Sequence, residues 1–91
     1  MMGRIRLIIY GNVHGVGFRF SAVETARDLG LVGWVRNKPD RSVEILAEGP
    51  KGDLEKLINW AKKGPFLANV AKIETSWEKA TGEFTSFGVE Y

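Results

Sequence analysis

The order of hydrophobic periods along the chain is the feature that most restricts its fold. Alternation of apolar and polar residues predicts strands, and recurrence every three or four positions predicts helices. In chain order the pattern predicts strand, helix, strand, strand, helix, strand and a short terminal strand. The corresponding ranges are 4–12, 20–30, 31–36, 42–48, 54–62, 70–78 and 84–91.

This order predicts an α+β fold of the ferredoxin-like βαββαβ type, with two helices packed on one face of an antiparallel sheet. Right-handed crossovers would place the first and third strands side by side in the centre of that sheet. The chain has 91 residues, and dividing it would leave two pieces too small for a good core. We therefore expect one domain over residues 1–91.

Several residues predict where the elements begin and end. Gly30 and the pair Gly64–Pro65 are suited to the left-handed cap and the stop after a helix. Asp53 is a good N-cap for the second helix. Ser21 and Glu24 have the spacing of a capping box at the start of the first helix. If the helix begins earlier, the pair lies inside its first turn and only complements the helix dipole.

Composition excludes several classes of protein. The chain has no cysteine, so disulfide frameworks, thiol catalysis and iron–sulfur clusters are excluded. A single histidine, His14, disfavours a zinc or copper site, and we expect no metal or cofactor. The formal net charge of +2 is too small to indicate nucleic-acid binding. Short apolar runs and the absence of a secretory pattern predict a cytoplasmic protein without a membrane partner.

The segment between the first strand and the first helix carries the strongest functional signal. It reads Gly-Asn-Val-His-Gly-Val-Gly over residues 11–17, followed by Phe18 and Arg19. A glycine-rich turn at a helix N-terminus can direct several backbone N–H groups at one anion. Arg19 at its rim could bind two phosphate oxygens. From spacing alone, a tight turn beside a solvated arginine is an equally good interpretation.

Two better-known phosphate motifs do not match this segment. A dinucleotide-binding fingerprint needs a third glycine where Phe20 stands, and a long parallel sheet after it. A Walker-type loop ends in Gly-Lys-Ser or Gly-Lys-Thr, whereas this segment ends in Gly17-Phe18-Arg19. The sequence therefore favours neither nucleotide-binding class.

Residues across nearly the whole chain resemble the acylphosphatase family. The resemblance begins in the glycine-rich segment, continues through a Gly-Trp motif in the second strand, and reaches the aromatic residues near position 91. The matching positions are Gly11, Val13 to Arg19, Leu29 to Leu31, Gly33 to Asn37, Val43, Glu44, Glu48, Gly49, Gly64, Pro65, Ala68, Val70, Phe87, Val89 and Tyr91.

The resemblance implies a small enzyme that hydrolyses acyl phosphates to a carboxylate and inorganic phosphate without metal or cofactor. It implies that Arg19 and Asn37 are catalytic, Arg19 by binding the phosphate and Asn37 by orienting water. It also implies a small-molecule substrate. We further expect no nucleic-acid or membrane partner, and a monomer or weak dimer. The implied phosphate-binding residues are His14, Gly15, Val16, Gly17, Phe18 and Arg19.

Two positions depart from the family pattern. His14 stands where the family most often has glutamine, and we expect it to hold the loop rather than contact substrate. Arg41 stands where the family often has glycine. If that turn needs a positive φ, Arg41 is strained by about 1 kcal/mol.

Two other functions remain as alternatives. Residues 15–20 loosely resemble the glycine, aromatic and basic signature of an RNA-recognition strand, although their position between a strand and a helix disfavours it. The second alternative is a module that handles phosphate or carbamoyl phosphate, like the N-terminal domain of hydrogenase-maturation carbamoyltransferases. The length of this chain favours an independent enzyme.

Overall fold

A five-stranded sheet with the order β4-β1-β3-β2-β5 carries two helices in the computed structural model, which describes residues 1–91. Strands β1 and β3 lie side by side in the centre, as predicted. The elements are β1 Met2–Asn12, α1 Phe18–Asp28, β2 Val32–Asn37, β3 Val43–Pro50, α2 Lys51–Ala61, β4 Asn69–Glu78 and β5 Phe87–Val89. Neither helix is long and apolar enough to cross a membrane.

The core lies between the helices and one face of the sheet. Ile5, Leu7 and Ile9 of β1 are completely buried, while Arg4 and Arg6 face the opposite side of the sheet. This follows from the two-residue period of a strand, which sends alternate side chains to opposite faces. The helices contribute Phe18, Ala22, Ala26, Leu54, Leu57 and Ala61 to the same core.

The directions of the strands bring the functional segments together. Strand β3 is antiparallel to both β1 and β2, so β1 and β2 run in the same direction. The short strand β5 joins the sheet parallel to β2, which makes the otherwise antiparallel sheet a mixed one. The C-terminal ends of β1, β2 and β5 therefore lie at the same end of the sheet, along the direction of the strands. The loop that enters α1 lies at this end too.

Some element boundaries differ from the sequence-based prediction. Helix α1 begins at Phe18 with Gly17 as its N-cap, so Ser21 and Glu24 lie inside the helix and the capping-box interpretation is wrong. Helix α2 begins at Lys51 after Pro50, and the prediction of Asp53 as N-cap is wrong. Asp53 instead places a carboxylate in the first turn, where it complements the helix dipole.

The last strand is shorter than predicted. Strand β5 covers only Phe87–Val89 of the expected range 84–91. The segment that precedes β5 is bound by Glu48 on the outer face of β3. The Glu48 carboxylate accepts hydrogen bonds from the backbone N–H groups of Thr81 and Gly82 at 2.9 and 3.0 Å. The conformation of this connection therefore depends on a side chain from the centre of the sheet.

Ion pairs between strands hold the outer face of the sheet. Glu44 is only 3% exposed and accepts hydrogen bonds from Arg6 of β1 and Arg36 of β2. Burial opposes ionisation of Glu44, but these two arginines outweigh it and hold the pKa of the carboxyl below its ordinary value. Burial likewise opposes ionisation of Glu48, and its hydrogen bonds hold that pKa low as well.

The turn between β2 and β3 is tied to the loop that precedes α1. His14 Nε2 lies 2.8 Å from the carbonyl oxygen of Ser42. Because a carbonyl only accepts, the proton of this hydrogen bond resides on Nε2. The same oxygen accepts the N–H group of Lys38 at 2.9 Å. The histidine side chain thus ties the loop to this turn.

Arg41 has a φ of 73° and is the only residue other than glycine with a positive φ. Its N–H group donates to the carbonyl of Lys38 at 3.0 Å, which closes the turn in this conformation. A side chain with a Cβ atom is disfavoured there. The strain expected at this position is therefore present.

We predict that acid destabilises the protein through Glu44 and Glu48. Carboxyls with a lowered folded pKa stabilise the fold above the unfolded value of about 4.3, and this contribution is lost as the pH falls through the folded values. The free energy of unfolding in urea should therefore decline below about pH 4. Glu44→Gln should cost about 1–2 kcal/mol at pH 7 and flatten the decline. An unchanged acid slope in this variant would contradict the assignment.

His14→Ala should loosen the loop of residues 14–19. Loss of the hydrogen bond to Ser42 should lower the free energy of unfolding by about 1 kcal/mol. It should also lower the backbone ¹⁵N order parameters of the loop, which report motion on the picosecond to nanosecond timescale. His14→Gln, which retains a donor, is the matched control. Equal order parameters in the alanine variant and the wild type would exclude this role.

Arg41→Gly should raise the free energy of unfolding by about 1 kcal/mol, because glycine adopts a positive φ without strain. Arg41→Ala removes the same side chain but keeps the Cβ atom, so it should give no gain. Urea denaturation of both variants tests the prediction. Equal stabilities of the two variants would attribute the effect to the side chain instead of the backbone.

Candidate active site

The loop between β1 and α1 presents a row of backbone N–H groups. None of the N–H groups of residues 14–20 donates to a backbone carbonyl or to a side chain of the protein. Gly15 and Gly17 have φ values of 71° and 76°, and this left-handed conformation turns the chain into the helix without using those groups. Such a concave row at a helix N-terminus suits an anion.

The side chains of this loop anchor it to the core. Val13 and Phe18 are buried, and Val16 packs against the same core. The ring of Phe18 lies 5.1 Å from the ring of Trp60 in α2, centroid to centroid. Because the apolar side chains face inward, the backbone of the loop is fixed in place by packing. The predicted phosphate-binding residues Val16 and Phe18 can therefore contribute only their backbone.

Arg19 and Asn37 reach the same cavity from two different elements. Arg19 lies in the first turn of α1, and Asn37 is the last residue of β2. The guanidinium carbon of Arg19 lies 5.6 Å from the centroid of the Tyr91 ring, and no carboxylate pairs with it. Arg36, the neighbour of Asn37, faces the outer side of the sheet, as the alternation of a strand requires.

The cavity has a volume of about 380 Å³ and lies between α1, the loop before it and the ends of β2 and β5. Its polar lining consists of Gly15, Gly17, Arg19, Arg27 and Asn37, with no acidic residue. Its apolar lining consists of Val13, Phe18, Phe20, Val23, Val89 and Tyr91. The cavity therefore combines positive charge with an apolar wall.

The structure brings together the two predicted catalytic residues and most of the predicted loop. His14 and Val16 do not line the cavity, since the side chain of His14 is bound to Ser42 and Val16 packs on the core. Arg27 and the apolar wall from β5 were not predicted. Arg27 follows Arg19 by eight residues, so both side chains lie along one side of α1. This spacing could have indicated that Arg27 lines the cavity.

Three observations bear on metal binding and on RNA recognition. No group of three or more His, Cys, Asp or Glu side chains is arranged to hold a metal ion. Residues 15–20 form a loop and the start of a helix, whereas RNA-reading aromatics belong on a central strand. The outer face of the sheet is occupied by the ion pairs of Arg4, Arg6 and Arg36. The geometry does not favour an RNA-recognition surface.

Comparison with known proteins points to the acylphosphatases. The family model described as Acylphosphatase matches residues 5–89. An acylphosphatase of Thermococcus kodakarensis is 52% identical over 79 residues, which cover 87% of this chain and 87% of that protein. The crystal structure of acylphosphatase from Bacillus subtilis superposes with a TM-score of 0.94 at 35% identity and covers 100% of both chains.

A larger protein contains the same fold as one part. Full-length HypF, in a phosphate- and nucleotide-bound crystal structure, superposes with a TM-score of 0.91 at 27% identity, over 100% of this chain and 12% of HypF. The two acylphosphatases, in contrast, match over most or all of their length. The matched residues 5–89 include the loop, Arg19, Asn37 and β5. The chain therefore belongs to the acylphosphatase family.

Proposed function

We propose that the protein hydrolyses acyl phosphates, with water attacking the phosphorus atom to release a carboxylate and inorganic phosphate. The observation that carries this proposal is the row of unpaired N–H groups in residues 14–20 beside the guanidinium of Arg19. Both features suit a tetrahedral phosphate with negative charge on several oxygens. The acylphosphatase names of the relatives support the same reaction.

The loop and Arg19 bind the phosphoryl group and stabilise the transition state. Phosphoryl transfer passes through a loose transition state in which charge spreads over three equatorial oxygens. Fixed N–H donors and one arginine fork match this distribution without rearrangement during the reaction. The protein therefore needs no metal ion to neutralise the charge, and we propose none.

The leaving group requires little help. An acyl phosphate releases a carboxylate, which is a weak base, so proton donation contributes little to the rate. The only remaining requirement is a water molecule in line with the breaking bond. Asn37 at the end of β2 has both a donor and an acceptor for this task. A strong base is not needed, which agrees with the acid-free lining of the cavity.

We also propose that the protein acts in the cytoplasm as a monomer or a weak dimer. All the groups assigned to the reaction come from one chain, so a monomer, or a weak dimer, is sufficient. The complete absence of cysteine fits the cytoplasm. The partners are a small-molecule acyl phosphate as substrate and inorganic phosphate as product, with no nucleic acid or membrane.

We predict that the purified protein hydrolyses benzoyl phosphate in the presence of a chelator. Arg19→Ala should lower kcat/KM on the order of 100-fold or more, because it removes both binding and transition-state stabilisation. Asn37→Ala should lower kcat about 10- to 100-fold while phosphate still binds, because the water is no longer oriented. Steady-state kinetics and competitive inhibition by phosphate separate the two effects.

Asn59→Ala, at an exposed position of α2, is the matched control and should keep the wild-type rate. Full turnover in the Asn37 variant would exclude its role. A folded wild-type protein that binds phosphate without hydrolysing benzoyl phosphate would be an anion-binding module. Salt-dependent binding of single-stranded RNA without hydrolysis would support the RNA-binding alternative.

A further inference from the structure

The cavity continues past the phosphate-binding loop to a second arginine. Arg27 lies in the last turn of α1 and lines the same cavity as Arg19. The two residues are eight positions apart on the helix, so their Cα atoms are separated by about 12 Å along its axis. A phosphoryl group in the loop therefore leaves room for the acyl group between the two arginines.

Arg27 is exposed, and its guanidinium makes one hydrogen bond within the protein and no ion pair. Its Nε atom donates to the carbonyl oxygen of Phe87 in β5 at 3.0 Å. The two terminal nitrogens have no hydrogen-bond partner in the protein, and no carboxylate lies within ion-pair distance. The arginines of the outer sheet face, Arg4, Arg6 and Arg36, all pair with glutamates instead.

The wall between the two arginines is apolar. Val23 lies on α1 midway between Arg19 and Arg27, and Val89 and Tyr91 face the cavity from β5 and the residues after it. An apolar acyl chain or ring can bury its surface here. The cavity thus has positive charge at both ends and an apolar middle, with no acidic residue to balance it.

We infer that Arg27 binds a carboxylate at the far end of the acyl group, and that the preferred substrates are acyl phosphates carrying a second carboxylate. This inference rests on the proposed function of the loop and Arg19. Two parallel N–H donors at the free end of a guanidinium match the two oxygens of a carboxylate. The hydrogen bond to Phe87 fixes the direction of this fork, so little side-chain freedom is lost on binding.

Affinity for non-hydrolysable ligands tests the inference separately from catalysis. Benzylphosphonate and 4-carboxybenzylphosphonate differ only in the distal carboxylate, and calorimetry gives the Kd of each. We expect the carboxylated ligand to bind the wild type about tenfold more tightly. Arg27→Gln should reduce this ratio to about one, whereas Arg27→Lys should retain part of it. The ratio cancels any general effect of a substitution on the fold.

Lys51→Gln is the matched control, because it removes one positive charge at the start of α2, beside Met1 at the opposite end of β1 from the loop. It should leave the ratio at the wild-type value. A wild-type ratio near one, or an unchanged ratio in Arg27→Gln, would overturn the inference. The corresponding substrates, benzoyl phosphate and 4-carboxybenzoyl phosphate, should show the same ratio in kcat/KM. If neither is hydrolysed, the proposed function fails while the binding ratio still decides the role of Arg27.

Discussion

Backbone N–H groups that the fold leaves without a partner are the constraint on which the site depends. Folded proteins pair nearly all buried N–H groups, whereas those of residues 14–20 lie in a partly exposed loop and in the first turn of α1, and they donate to no acceptor in the protein. Their arrangement is stable because Val13, Val16 and Phe18 hold the loop by packing, and because His14 fastens it to the turn after β2. A bound anion is then the natural partner of the row.

The two faces of the sheet use arginine in opposite ways. On the outer face Arg4, Arg6 and Arg36 are paired with buried or partly buried glutamates and hold neighbouring strands together. At the other side, Arg19 and Arg27 line a cavity without an acid. Positive charge that stabilises the fold is thus separated from positive charge that is free to meet a ligand, although the net charge of +2 does not reveal this division.

Local patterns in the sequence were sufficient for the order of the elements and for the glycine-rich loop, whereas the two catalytic assignments needed the family resemblance. The alternation in β1 and the glycines at 15 and 17 are short-range signals, and the family resemblance added Arg19 and Asn37. Helix starts were predicted less well, because α1 begins at Phe18 after Gly17 and α2 begins at Lys51 after Pro50, so that Ser21 and Asp53 lie inside their helices. Arg27 was missed because its role depends on β5, about 60 residues later.

The parallel pairing of β5 with β2 has a consequence for how this protein can diversify. The loop between β1 and α1 lies near the start of the chain, whereas Val89 and Tyr91 of the facing cavity wall lie near position 91. A three-residue strand tolerates new side chains at its cavity-facing positions without disturbing the central pairs of the sheet. Changes in that short segment can therefore alter the shape offered to the rest of a ligand while the anion-binding backbone stays the same.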